Sequence, residues 1–209
     1  MTYLDIEAFK ATAKVADPFD FIIVPAFLSP ARLDDVNGDF PAIERAGNFP
    51  IEELRYGPHF GAFIDEIKGP ALRAAIEEKF GLDLGGLKHV VTVRALSQKS
   101  DGNIHTDAPS KVVTALIYLN QNWESEGGRL RLLRNERDFD DYIAEVPPIA
   151  GTLLLFKRSD NSWHGHKPFV GARRTIQINW VSEAVDHSLQ HYRVGQAKRR
   201  VLRWFGMGA

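Results

Sequence analysis

The chain has 209 residues, 44% of them hydrophobic, with 13 Phe and 4 Trp, which is enough apolar material to build a sizeable core and a folded globular protein. Its 26 basic and 27 acidic side chains leave a net charge of −1, so the overall balance indicates no attraction to nucleic acid or an anionic membrane. Cysteine is absent, which excludes disulfides, thiolate metal sites and a cysteine nucleophile and leaves His and carboxylates as the strong metal ligands.

The first twenty residues carry charges throughout and lack a basic leader followed by an apolar run, so no signal peptide is expected and a cytoplasmic location is the default. Leu4, Ile6, Ala8 and Phe9 fall at helical spacing, and Asp17-Pro18 breaks the pattern before a strand at Phe21-Ile22-Ile23-Val24. Ser29-Pro30 then reads as an N-cap with proline at the first helical position, starting a helix that runs to about Asn37. Residues 38 to 60 are dense in Gly and Pro and read as a surface loop bordering a pocket, and helical spacing resumes over 61 to 80.

From Lys88 the pattern changes to short β-rich runs at 88–96, 111–119, 129–134, 142–146, 151–157 and 173–182. Such spacing predicts a barrel or double-sheet jelly roll and not βαβ units. The fold class expected is therefore mainly β with flanking helices around a double-stranded β-helix core. We read one domain over 1–209, with a supporting region at 1–87, the jelly-roll core at 88–182 and a basic helical tail at 183–209. No apolar run approaches the roughly 20 residues of a spanning helix.

His105-Thr106-Asp107 stands just before the strand at 111–119, and His164 follows the strand at 151–157. A single H-x-D pair carries little weight, since chance alone supplies about 0.5 of them at this composition. In a jelly roll, however, strands distant in sequence lie side by side, so His105, Asp107 and His164 can meet. Two His and one carboxylate on one face of a metal is the arrangement of non-haem Fe(II) sites.

Further features extend the pattern in order: Tyr118-Leu119-Asn120, Gly127-Gly128-Arg129-Leu130-Arg131-Leu132, then His164, Pro168 and Arg174. Over residues 90 to 182 the chain resembles the Fe(II)/2-oxoglutarate-dependent dioxygenases, in particular the prolyl-hydroxylase-like branch, with a weaker echo at Phe21 to Ser29. The resemblance implies that His105, Asp107 and His164 hold Fe(II), with 2-oxoglutarate and O2 as co-substrates and ascorbate as an optional reductant. It implies hydroxylation of a C–H bond with release of succinate and CO2. The far carboxylate of 2-oxoglutarate calls for a buried arginine, whose planar fork suits it. Arg174 is the choice, because Trp180 shares its strand face as in relatives; its neighbour Arg173 is the rival. Tyr118 is expected beside that carboxylate, with a plain core tyrosine as its other reading.

His166 shares the strand face of His164 and is its rival as ligand, but the spacing to Pro168 and Arg174 favours His164 and leaves His166 at the pocket rim or surface. His59 and His89 are expected in structural roles, and His187 and His191 on an exposed tail. The substrate class stays open between a peptide and a small molecule, with Arg55, Tyr56 and His59 as speculative rim residues and the loops 38–60 and 135–150 as places for selectivity. No nucleic-acid partner is expected, although the basic tail keeps a polyanion reading open. The competing reading of another class is a non-catalytic barrel that binds metal or 2-oxoglutarate as a sensor.

Overall fold

In this computed structural model the described residues are 2–182. The tail at 183–209, including His187 and His191, therefore lies outside them. The order of elements is α1 (Ile6–Ala11), β1 (Phe21–Val24), a 3-10 turn (Pro30–Arg32), α2 (Leu33–Gly38), β2 (Phe49–Pro50), a second 3-10 turn (Ile51–Glu53), α3 (Pro58–Lys68) and α4 (Pro70–Phe80). Then come β3 (Lys88–Ser97), β4 (Lys111–Tyr118), β5 (Leu130–Leu133), β6 (Tyr142–Val146), β7 (Leu153–Lys157), β8 (His164–Gly165) and β9 (Gly171–Val181).

The strands form two sheets, a six-stranded one in the order β1-β7-β4-β9-β3-β2 and a three-stranded one in the order β6-β5-β8. All strand pairs within them are antiparallel. His105 bridges His164 and so continues the smaller sheet beyond β8. This is the jelly roll expected from the run of short strands. The helical stretch at 61–80 proves to be two helices divided at Gly69, and α3 starts three residues earlier at Pro58, which occupies its first turn.

Alternation along the strands sends side chains to two different cores. One face of the larger sheet, including Val91, Val113, Ala115, Leu155, Ile176, Ile178 and Trp180, packs on helix residues such as Phe9, Phe63, Ile67 and Ile76. Burying each such aromatic or aliphatic side chain stabilises the fold by about 1.5–3 kcal/mol. The opposite face meets the smaller sheet. Toward the β1–β7 edge this space is filled by Phe21, Tyr118, Leu132, Val146, Leu154 and Phe156. Toward β9 and β3 it opens into a cavity of about 430 Å³ lined mostly by polar side chains. Helices cover one face of the large sheet, and so the chemistry is confined to the other.

Candidate metal and co-substrate site

His105 and His164 are brought together by backbone pairing: each donates its N–H to the other's carbonyl, at 3.0 and 2.9 Å. Their rings lie with centroids 4.4 Å apart. Asp107 follows two residues beyond His105, and one ligand atom from each of the three side chains falls within 4.8 Å of the others. Asp107 and His164 are buried and His105 is exposed at the cavity. Two imidazoles and a carboxylate on one side of an open space form a donor set that can hold a divalent metal with positions to spare.

The surroundings orient these ligands. Nδ1 of His105 lies 2.8 Å from the carbonyl of Asn103, and Nδ1 of His164 lies 2.9 Å from that of Ser162. A carbonyl only accepts, so each Nδ1 carries the proton and each Nε2 is left with a lone pair. Lys111 Nζ donates to Asp107 Oδ1 at 2.5 Å, and Thr114 Oγ1 donates to Oδ2 at 2.5 Å. Burial alone would raise the Asp107 carboxyl, but Lys111, His164 and Thr114 outweigh it and hold the group below its ordinary value. Burial dominates for His164, whose pKa falls to about 4, so at neutral pH the ring is uncharged and able to ligate.

Beside the triad, Arg173 is 5% exposed. Its Nε donates to the Gly128 carbonyl at 2.8 Å, while its guanidinium lies 5.5 Å from the Tyr118 ring. Among the described residues, Arg173 Nη2 and the Tyr118 hydroxyl are buried without a hydrogen-bond partner. Two orphaned polar groups side by side in a protein interior are costly unless a ligand completes them. A carboxylate is the group that a guanidinium and a phenol would jointly satisfy. Burial raises the Tyr118 pKa and lowers that of Arg173.

Arg174, the expected anchor, faces the other way. Its Nη1 donates to Asn37 Oδ1 at 3.1 Å and its guanidinium lies over Phe40 at 4.6 Å, on the helix-covered side. The parity with Trp180 holds, but that whole face, with Ile176 and Ile178, belongs to the hydrophobic core. Strand β9 carries its polar set Arg173, Thr175, Gln177 and Asn179 on the cavity side. That alternation separates Arg173 from Arg174, and the packing of β9 between the helices and the smaller sheet decides that Arg173 faces the cavity.

Other expectations divide. His166 is buried and lines the cavity, a deeper position than a rim. His59 accepts or donates with the Tyr3 hydroxyl at 3.1 Å, and His89 stacks on Trp180 at 4.4 Å, both structural surroundings. Arg55, Tyr56 and His59 do not line the cavity. Tyr56 instead packs on Phe60. From the loop 38–60 only Asn48 reaches the cavity wall, and none of 135–150 does. Lys111, Thr114, Arg94 and Asp101 went unread because nothing in their local sequence announces a pocket.

The family model described as the 2OG-Fe(II) oxygenase superfamily matches residues 91–182. These residues are thus similar to that superfamily. Similarity to that superfamily implies Fe(II), 2-oxoglutarate and O2 as cofactor and co-substrates. The span holds all three residues of the triad together with Tyr118 and Arg173.

Solved structures extend the likeness across most of the chain. A prolyl-4-hydroxylase from Pseudomonas putida is 17% identical, covering 85% of this chain and 91% of its own, with a TM-score of 0.56. The viral collagen prolyl hydroxylase of Paramecium Bursaria Chlorella virus-1, in its 2OG complex, is also 17% identical, covering 80% and 99% with a TM-score of 0.57. HygX from Streptomyces hygroscopicus, with nickel and 2-oxoglutarate bound, is 12% identical, covering 88% and 87% with a TM-score of 0.51. The fold of this chain is thus the one shared by these prolyl hydroxylases and by HygX. No curated protein matches the chain. Among the described residues no helix is long and apolar enough to cross a membrane.

Proposed function

We propose that this protein is an Fe(II)- and 2-oxoglutarate-dependent hydroxylase. His105, Asp107 and His164 are its metal ligands, and Arg173 with Tyr118 receives the far carboxylate of 2-oxoglutarate. The observation that carries the reading is the juxtaposition of a two-His, one-carboxylate cluster with a buried, incompletely bonded Arg173 on the same cavity. When bound, the metal and its co-substrates supply oxidative decarboxylation to succinate and CO2 coupled to hydroxylation of a substrate C–H bond.

The protein's own part is positioning. The carbonyls of Asn103 and Ser162 fix the imidazole tautomers, and Lys111 and Thr114 hold the Asp107 carboxylate ionised and in one orientation. Arg173 is held by the Gly128 carbonyl, so its remaining N–H groups are already aimed before a ligand arrives. Leu116 and Leu130 contribute the apolar part of the wall.

Anaerobic addition of Fe(II) and then 2-oxoglutarate to the purified protein tests this. The expected result is a visible metal-to-ligand charge-transfer band that is absent from Asp107→Ala. Folded, iron-loaded protein with no band would overturn the reading. Succinate release with any substrate separates an enzyme from a sensor that merely binds the co-substrate.

A further inference from the structure

The cavity holds a second charged group that the metal and 2-oxoglutarate roles leave unused. Arg94, on β3 in register with Thr175 of β9, forms an ion pair with Asp101, and both line the cavity. The pair is braced: Arg94 Nε donates to Asn48 Oδ1 at 3.0 Å, and Asp101 Oδ2 also accepts from Ser97 Oγ at 3.2 Å and the Gln98 N–H at 3.0 Å. These contacts engage Arg94 through Nε and Nη1, and Asp101 through Oδ2 alone. Among the described residues, Arg94 Nη2 and Asp101 Oδ1 have no hydrogen bond. A donor on a fixed cation and an acceptor on a fixed anion thus stand side by side at the wall.

The rest of the lining argues for the same class of guest. Asn48, Ser100, Asn103, His166 and Gln177 are polar, and the larger aliphatic surface is limited to Leu116 and Leu130. No Phe or Trp among the described residues lines it, and Tyr118, beside Arg173, belongs to the proposed co-substrate end. A pyrrolidine ring gains most from apolar walls, which this cavity offers sparingly. A dipolar guest gains most from paired charges held in place before binding. The volume of about 430 Å³ must also take 2-oxoglutarate, so the part of a substrate that enters the cavity is small.

We propose that Arg94 and Asp101 are the substrate-recognition pair of this site, and that the substrate is a small zwitterion of the free α-amino acid type, its carboxylate on Arg94 and its ammonium on Asp101. This inference rests on the oxygenase reading above.

The experiment measures succinate release with free L-amino acids, their N-acetyl and C-amide derivatives, and a prolyl tripeptide blocked at both ends. The charge-transfer band is recorded alongside for every protein. Free amino acids are expected to stimulate turnover and the blocked peptide not to. Against an accepted amino acid, Arg94→Gln should raise KM by about 10- to 100-fold, the loss expected of one charge-assisted hydrogen bond, while C-amides lose nothing further. Asp101→Asn should show the mirror pattern, penalising the free amine and sparing the N-acetyl compound. General misfolding cannot produce that crossed pattern.

Stimulation by the blocked peptide alone, stimulation by no amino acid, or variants that leave KM unchanged would overturn the proposal. So would an Arg94→Gln protein that needs more 2-oxoglutarate to develop the band, because the guanidinium would then serve the co-substrate. Absence of the band from the unaltered protein is the separate failure of the oxygenase reading itself.

Discussion

His105 and His164 exchange both of their backbone hydrogen bonds, although one precedes β4 and the other is the first residue of β8. Two distant chain segments are thereby locked in one register, and the metal geometry follows from sheet pairing more than from side-chain choice. A register slip of one residue would turn His164 away from the site.

Support for Asp107 is the first thing to test. Removing the Thr114 hydroxyl in Thr114→Val leaves Oδ2 of Asp107 without its 2.5 Å donor while nearly preserving side-chain shape. Fe(II) affinity, measured by anaerobic titration, should fall about 10- to 100-fold, the usual effect of losing a group that orients a ligand. Unchanged affinity would show that Lys111 alone suffices to hold the carboxylate.

Adjacent arginines on opposite faces of β9 make a sharp contrast. Arg173→Gln should raise the 2-oxoglutarate concentration needed for half-maximal charge-transfer absorbance by about 100-fold or more, because a buried charge-assisted contact is lost. Arg174→Gln should leave that concentration unaltered. It should lower stability by only about 0.5–1 kcal/mol, through its contacts with Asn37 and Phe40. The reverse outcome would return the role to Arg174.

Gly102 lies three residues before His105, with φ of 89°. A Cβ there would collide with the His166 ring and carbonyl and would force a strained backbone. Gly102→Ala should therefore destabilise by about 1–3 kcal/mol and weaken metal binding together with it, as read by thermal melts with and without Fe(II). A melt unaffected by the substitution would show that this segment relaxes freely.

Acid sensitivity has a traceable source at His89. Burial, with help from Lys68, lowers its pKa from 6.5 to about 4, and its Nε2 has no partner among the described residues. As pH falls from 6.5 to 4 the unfolded chain takes up a proton that the folded chain refuses, so stability declines across that window and is independent of this group above it. His89→Phe keeps a ring against Trp180 and should make the urea midpoint less steep in pH there, by up to one proton. A slope identical to that of the unaltered protein would assign the acid limb to other groups, such as the buried His166.

The order of strands and the candidate triad were legible in the residues alone. Short β-rich runs between turn clusters specify two packed sheets, since strands with an apolar face must bury it, and the ordered features around His105, Asp107 and His164 pick out the three side chains that the fold brings together. Tertiary structure decided which side of β9 was inside. Both of its faces are buried, one under α3 and α4 and the other against the smaller sheet, so local periodicity placed Arg173 and Arg174 on opposite sides without saying which was the cavity. It also decided that Asn48, Arg94 and Asp101 meet. Their association depends on β2 pairing with β3, as Phe49 opposes Val93, and on the turn that folds Asp101 back to Gln98. Such long-range pairing is set by how the sheets close and not by any residue's own preference.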